Sequence, residues 1–246
     1  MRAKRQDVRL QGVHCELITA LQAELARVAD PAKAPGMQAY MKSRMPYLGV
    51  PMPQLRAVCR PLFAAHPLIA FEDWRGTTLT LWREATYREE RYAAIALTGD
   101  PRYRDFQTLE ALPMYEEMIV TGAWWDYVDE LATHRVGTLL RRFPAAMRET
   151  MLLWSRDDKL WKRRAAILCQ ASFKAATDEA LLFACIEPNM SDREFFIRKA
   201  IGWALREYSR TRPDAVRAFV RLHEASLSPL SRREATRRLG QDSRDS

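Results

Sequence analysis

The segment Trp124-Trp125-Asp126-Tyr127-Val128-Asp129-Glu130-Leu131 sets carboxylates among indoles. On an α-helix, Trp125, Asp129, Ala132 and Val136 fall at i, i+4, i+7 and i+11 and share one stripe. Asp129 then interrupts an apolar face, one turn from an indole. A carboxylate withdrawn from water in this way is either ion-paired or desolvated for a chemical purpose. An arginine of the next helix would satisfy the first reading, and the sequence leaves both open.

Two further segments carry candidate chemistry. In Leu160-Trp161-Lys162-Arg163-Arg164-Ala165-Ala166-Ile167-Leu168, helical spacing turns Trp161, Ala165 and Leu168 to the core and puts Arg163 and Arg164 on either side. Arg164 should emerge close to a neighbouring helix, as a phosphate clamp or as the partner of an acidic residue. The third segment, Glu194 to Tyr208, is nearly continuous in apolar residues and contains Gly202 beside Trp203. Glycine costs about 1 kcal/mol relative to alanine inside a helix, so Gly202 points to a close approach by backbone or ligand. Trp203 is either core or leans over a cleft.

The elements that must position these residues are helical. Apolar residues recur at spacings of three and four, as in Leu17, Leu21, Leu25 and Val28, and no stretch alternates with period two. Prolines such as Pro35, Pro53, Pro113, Pro144, Pro213 and Pro229 punctuate segments of helix length. Ser191 with Glu194, and Ser231 with Glu234, fit the capping-box spacing at the head of such segments. The expectation is about a dozen helices with short loops and no strands. Stacked as pairs they give an all-α, HEAT-like repeat solenoid with a concave basic face; a compact helical bundle is the alternative. One domain, 1–246, is expected, with an ordered core over about 11–240 and a frayed polar tail at 241–246.

Composition narrows the partners. The formal charge is +8, but residues 1–140 carry 17 basic and 17 acidic side chains, whereas residues 141–246 carry 22 against 14. The excess is mostly arginine, which suits bidentate phosphate contact; a solvated face is the plainer account. Seven tryptophans are many, and some are expected to serve a site. Cys15, Cys59, Cys169 and Cys185 lack paired spacing and there are only four histidines, so no metal site and no cofactor are expected. Residues 1–10 lack an apolar core, and no run of 18 apolar residues exists, so neither a signal peptide nor a membrane span is expected.

The three segments, with Tyr40-Met41-Lys42 and Pro46-Tyr47-Leu48-Gly49-Val50, resemble the AlkD-like DNA alkylation repair enzymes, over about residues 15 to 240. The strings W-W-D-x-V-D, W-x-x-R-A-A-I-L and F-F-I-x-K-A-I-G-W-x-L-R-E-Y, in that order, carry the likeness. The resemblance implies an alkylpurine DNA glycosylase of HEAT-like helices. It implies a catalytic carboxylate at Asp129, sugar-facing indoles at Trp125 and Trp203, a phosphate contact at Arg164 and a cleft tyrosine at Tyr40. Lys42, Lys162, Arg163 and Arg206 complete the expected DNA-contacting set, the Lys162-Arg163 pair being more basic than the family pattern. The implied partner is duplex DNA carrying alkylated purines, met by a cytoplasmic monomer that works at the nucleoid without flipping the base into a pocket. Two other readings share the basic half: a catalytically silent helical-repeat DNA-binding protein, and a helical scaffold for an acidic partner.

Overall fold

The computed structural model describes residues 12–239. The tail expected at 241–246 and the N-terminal segment 1–10 lie outside the described residues. Among those described, the chain is helical throughout with no strand, in two compact units, one through Phe106 and one from Gln107.

The first unit holds α1 (Cys15–Arg27), α2 (Ala34–Met41), α3 (Met52–Ala65), α4 (Phe71–Arg83) and α5 (Arg88–Thr98), closed by a 3-10 segment at Pro101–Phe106. Leu17, Leu21 and Leu25 are fully buried, as the three-and-four spacing requires. α3 packs on both α1 and α5, the next-but-one contact of stacked helix pairs. The Pro46–Val50 stretch is a loop held from beneath: the fully buried Glu89 carboxylate accepts from the N–H groups of Leu48, Gly49 and Val50 at 2.9–3.0 Å. A buried charge stays in place only where it is satisfied in this way.

The second unit holds α6 (Leu112–Gly122), α7 (Trp125–Glu130), a π-helical segment (Leu131–Val136), α8 (Gly137–Arg142), α9 (Pro144–Trp154) and α10 (Leu160–Leu168). It continues with α11 (Glu179–Ile186), α12 (Phe195–Ser209), α13 (Pro213–Leu222) and α14 (Pro229–Thr236). α10 lies against α7 and α12, and α12 packs on α14.

Prolines open helices here as expected: Pro35, Pro53, Pro113, Pro144, Pro213 and Pro229 all stand in first turns, where no N–H is missed. Pro61 departs from the rule, lying inside α3.

Both capping boxes are corrected. α12 begins at Phe195 with Glu194 as its N-cap residue and no side-chain cap bond. Its entry is held instead by Asp192, whose carboxylate accepts from the Glu194 N–H at 2.8 Å. α14 begins three residues earlier than the Ser231 reading, because Pro229 fixes the first turn and Ser228 caps it by accepting from the Ser231 N–H. Ser231 turns to the Arg198 carbonyl, and Glu234 is drawn off to Lys199 and Arg206.

The approach expected at Gly202 comes from α14. A Cβ there would lie 2.4 Å from the Glu234 Cβ and 3.1 Å from the Ser231 carbonyl oxygen. Burial pushes the Cys59 and Cys185 thiols up to about 12, and all four cysteines are free. No helix among the described residues is long and apolar enough to cross a membrane.

Candidate active site

Asp129 stands near the end of α7, just before the π segment. Arg164 of α10 donates Nε–H to its Oδ1 at 2.7 Å and Nη2–H to its Oδ2 at 2.8 Å, a bidentate pair. The Nη1 of Arg164 donates to the carbonyl of Phe196, in the first turn of α12. Three of the five guanidinium N–H groups are thereby committed. Arg164 is 5% exposed, and the Asp129 side chain 15%.

The first of the two alternatives open in the sequence is realised, since Asp129 is ion-paired to an arginine of another helix, and the carboxylate is at the same time largely withdrawn from water. Desolvation pushes its carboxyl above the usual carboxylate range. The bonds and charge of Arg164 oppose that push, and the nearby Asp126 charge adds to it.

The local winding differs from the even stripe expected. The helix from Trp125 passes through the π segment before α8, and the extra residue in that turn shifts every later position out of α register. Ala132 and Val136 are buried, but so are Leu131 and Thr133, and Asp129 and Trp125 lie at the half-buried edge. The Thr133 carbonyl accepts from the Ser172 hydroxyl at 3.4 Å, linking the π segment to the chain just after α10.

Gly137 lets α10 come this close. A Cβ there would lie 2.6 Å from the Cys169 carbonyl oxygen, backbone that cannot swing aside. Gly137→Ala is therefore expected to cost stability, on the order of 1 kcal/mol net, because overpacking of about 1–3 kcal/mol outweighs a helix-propensity gain of about 1 kcal/mol. Denaturant unfolding of the variant checks it; a midpoint at or above wild type would contradict it.

The tryptophan excess is resolved by burial. Trp74, Trp82 and Trp154 are core residues. Trp124, Trp125, Trp161 and Trp203 are half-buried, and all four lie on or immediately before α7, α10 or α12. Trp125 is one turn before Asp129. Trp203 shares a face of α12 with Phe196, seven residues away. Trp161, assigned to the core by spacing alone, is half-exposed and packs with Trp124 and Phe196, ring centroids 5.1–6.3 Å apart. Sequence reasoning missed Phe196 and Trp124; the signal available was an aromatic residue at the start of each of the three segments.

Three of the other basic candidates, Lys162, Arg163 and Arg206, are engaged by carboxylates. Lys162 bonds Asp157 at 2.5 Å and Glu116 at 2.9 Å. Arg163 pairs with Asp192 at 2.9 Å and donates to the carbonyls of Asp157 and Asp158. Arg206 bonds Glu234, which also holds Lys199 at 2.9 Å. In the first unit, Tyr40 is 78% exposed, and Lys42 is exposed at the C-cap of α2 with φ of 50°.

His14, Glu16 and His66 of the first unit place ligand atoms within 4.8 Å of one another. The His14 Nδ1, however, caps α1 by accepting from the Leu17 N–H at 3.1 Å. In the neutral ring the other nitrogen then carries the proton, the reverse of what a metal ligand needs.

The described residues, all helical and with an ion-paired carboxylate on a helix that also carries a half-buried indole, match one known group by sequence as well. The model of the DNA alkylation repair enzyme family matches residues 21–239. The fold is similar to that of a solved structure described as a predicted DNA alkylation repair enzyme from Enterococcus faecalis. The two are 31% identical, with a TM-score of 0.77 over 86% of this chain and 96% of that one. No curated protein matches the sequence. The chain belongs to the DNA alkylation repair enzyme family. Its role is accordingly in the repair of alkylated DNA, with DNA as its substrate.

Proposed function

We propose that the protein is a DNA glycosylase that hydrolyses the N-glycosidic bond of cationic N3- or N7-alkylated purines in duplex DNA. The observation that carries this reading is Asp129: a carboxylate withdrawn from water, fixed by two bonds to Arg164, one helical turn from the half-exposed Trp125.

Alkylation at N3 or N7 makes the purine cationic, so it leaves without a general acid. As the bond to C1′ breaks, positive charge passes from the base to the deoxyribose. A carboxylate beside the sugar gains most in that state, which is the differential stabilisation catalysis needs. At 4 Å and an effective dielectric of 20, such a charge pair is worth about 4 kcal/mol. A carboxylate has about four lone-pair sites. Arg164 takes two, which leaves the others to face the sugar and to orient the attacking water. The bidentate grip opposes the desolvation that favours the neutral acid, and it sets which lone pairs are presented.

Trp125 and Trp203 pack against the sugar, their ring faces favouring the developing cation. The two uncommitted N–H groups of Arg164 serve the adjacent phosphate. Tyr40 and Lys42, already free in solvent, contact the DNA backbone directly. Lys162, Arg163 and Arg206 reach phosphate only by exchanging a carboxylate partner, so each contributes less than its charge suggests. The family resemblance adds that the lesion stays in or near the base stack and is approached from the backbone side.

The pH dependence tests the reading. Single-turnover release of 7-methylguanine is expected to rise with pH through one ionisation above the ordinary aspartate value of about 3.9, then stay level. A bell-shaped profile with a basic limb would show that a protonated group is required, and would contradict departure of an already cationic base.

A further inference from the structure

We propose that Phe196 is a positioning residue for the reaction: with Trp161 and Trp124 it forms a three-ring keystone that fixes Arg164, and through Arg164 the Asp129 carboxylate. The proposal deepens the glycosylase reading and rests on it.

The rings come one from each of α7, α10 and α12, the helices that bear Asp129, Arg164 and Trp203. Trp124 is the N-cap residue of α7, which carries Trp125 and Asp129. Trp161 is in the first turn of α10, three residues before Arg164. Phe196 is in the first turn of α12, which carries Trp203. Phe196 meets Trp124 edge-on at 5.3 Å and Trp161 at 5.1 Å, and the two indoles are 6.3 Å apart. These are the separations at which aromatic pairs attract beyond the area they bury.

Phe196 also touches Arg164 twice. Its carbonyl accepts from Nη1, and its ring lies 5.9 Å from the guanidinium carbon. The guanidinium is thus held by the carboxylate at one edge and by Phe196 at the other. Loss of the ring frees the first turn of α12 to shift. Because a planar fork meets a carboxylate in one orientation only, a tilt of Arg164 becomes a tilt of Asp129. Small displacements of a reacting group carry large rate penalties.

Phe196→Leu keeps the carbonyl and removes the ring; Phe196→Tyr keeps both. The test compares these variants with wild type in single-turnover 7-methylguanine release at saturating enzyme, well below each unfolding midpoint. DNA affinity and the pH profile are measured alongside. Phe196→Leu is expected to slow release about tenfold or more with the dissociation constant within about twofold, and to move the acid limb to higher pH as Arg164's grip loosens. Phe196→Tyr should restore both. A lowered melting point with wild-type rate and pH profile would reduce the ring to a structural part and overturn the proposal.

If Phe196→Leu does not fold, Trp161→Leu removes the neighbouring ring from the α10 side and is judged by the same outcomes. Exchange of the Arg164 Nε proton, followed by NMR, separates the two levels of the account. Should wild type release no base, the glycosylase reading fails, and the keystone is then decided by exchange alone: faster in Phe196→Leu supports it, unchanged overturns it.

Discussion

Asp129→Asn should cut base release by at least about 100-fold while DNA affinity stays within a few-fold of wild type. The size follows from the type of interaction removed: deleting one preorganised electrostatic partner of a charged transition state costs about 10²–10³ in rate. Affinity is spared because duplex binding is dominated by phosphate contacts, which a carboxylate does not make. Stability should fall as well. Arg164 is almost fully enclosed and keeps its charge, and an amide leaves one of the two N–H groups that Asp129 accepts from facing an NH₂ group. Removing one member of a buried pair costs about 3 kcal/mol at the low end of the range, which fits here because one acceptor oxygen remains. Against a typical 5–15 kcal/mol the variant stays folded, so a loss of activity can be read as chemistry. Urea unfolding and base release on the same preparation check both halves. An active Asp129→Asn would remove the basis for the mechanism.

Arg164→Met is expected to do comparable damage by a different route, with a pH signature of its own. Methionine fills much of the same space without charge, so Asp129 is left desolvated with neither of its two Arg164 bonds. Burial already pushes this carboxyl up against the opposition of Arg164; without that opposition it rises further. The acid limb of the activity profile then moves toward neutrality, and release at neutral pH falls. The sign for stability follows from proton binding. A carboxyl whose folded-state value lies above the unfolded one binds more protons in the native state between those two values, so stability falls as pH rises through that window. The deficit of Arg164→Met relative to wild type should therefore be small near pH 4 and grow to about 3–5 kcal/mol at neutral pH. Denaturant titrations at acidic and neutral pH measure it. A deficit independent of pH would mean that Asp129 is not the group Arg164 satisfies.

Helix identity was legible because period and proline placement are local properties: Leu17, Leu21 and Leu25 are buried, and six prolines open helices where fixed φ favours them. The capping boxes were not, because a serine three residues before a glutamate competes with whatever else lies near. Pro229 moved the start of α14 forward to Ser228, and Lys199 and Arg206 claimed Glu234. The π segment leaves no periodic trace, since inserting one residue only blurs the pattern around Leu131–Val136.

For the site, the sequence presents Asp129 and Arg164 as candidates for each other without deciding it. Their meeting depends on how closely α10 approaches, and at the Cys169 end of α10 that approach needs the missing side chain of Gly137. The pairing of Lys162, Arg163 and Arg206 with acidic residues 5 to 46 positions away is likewise a tertiary outcome that net charge conceals. Phe196 escaped notice because an aromatic residue in an apolar helix reads as core until the neighbouring helices are in place.

The most direct test of the account is the fate of the damaged base. Purified protein is incubated with duplex DNA bearing 7-methylguanine and 3-methyladenine, and the small-molecule fraction and the DNA are both analysed by mass spectrometry. The expected result is free methylated purine in equal amount to new abasic sites. Protein that binds this DNA yet yields neither free base nor abasic sites would contradict the assignment of glycosidic hydrolysis to Asp129.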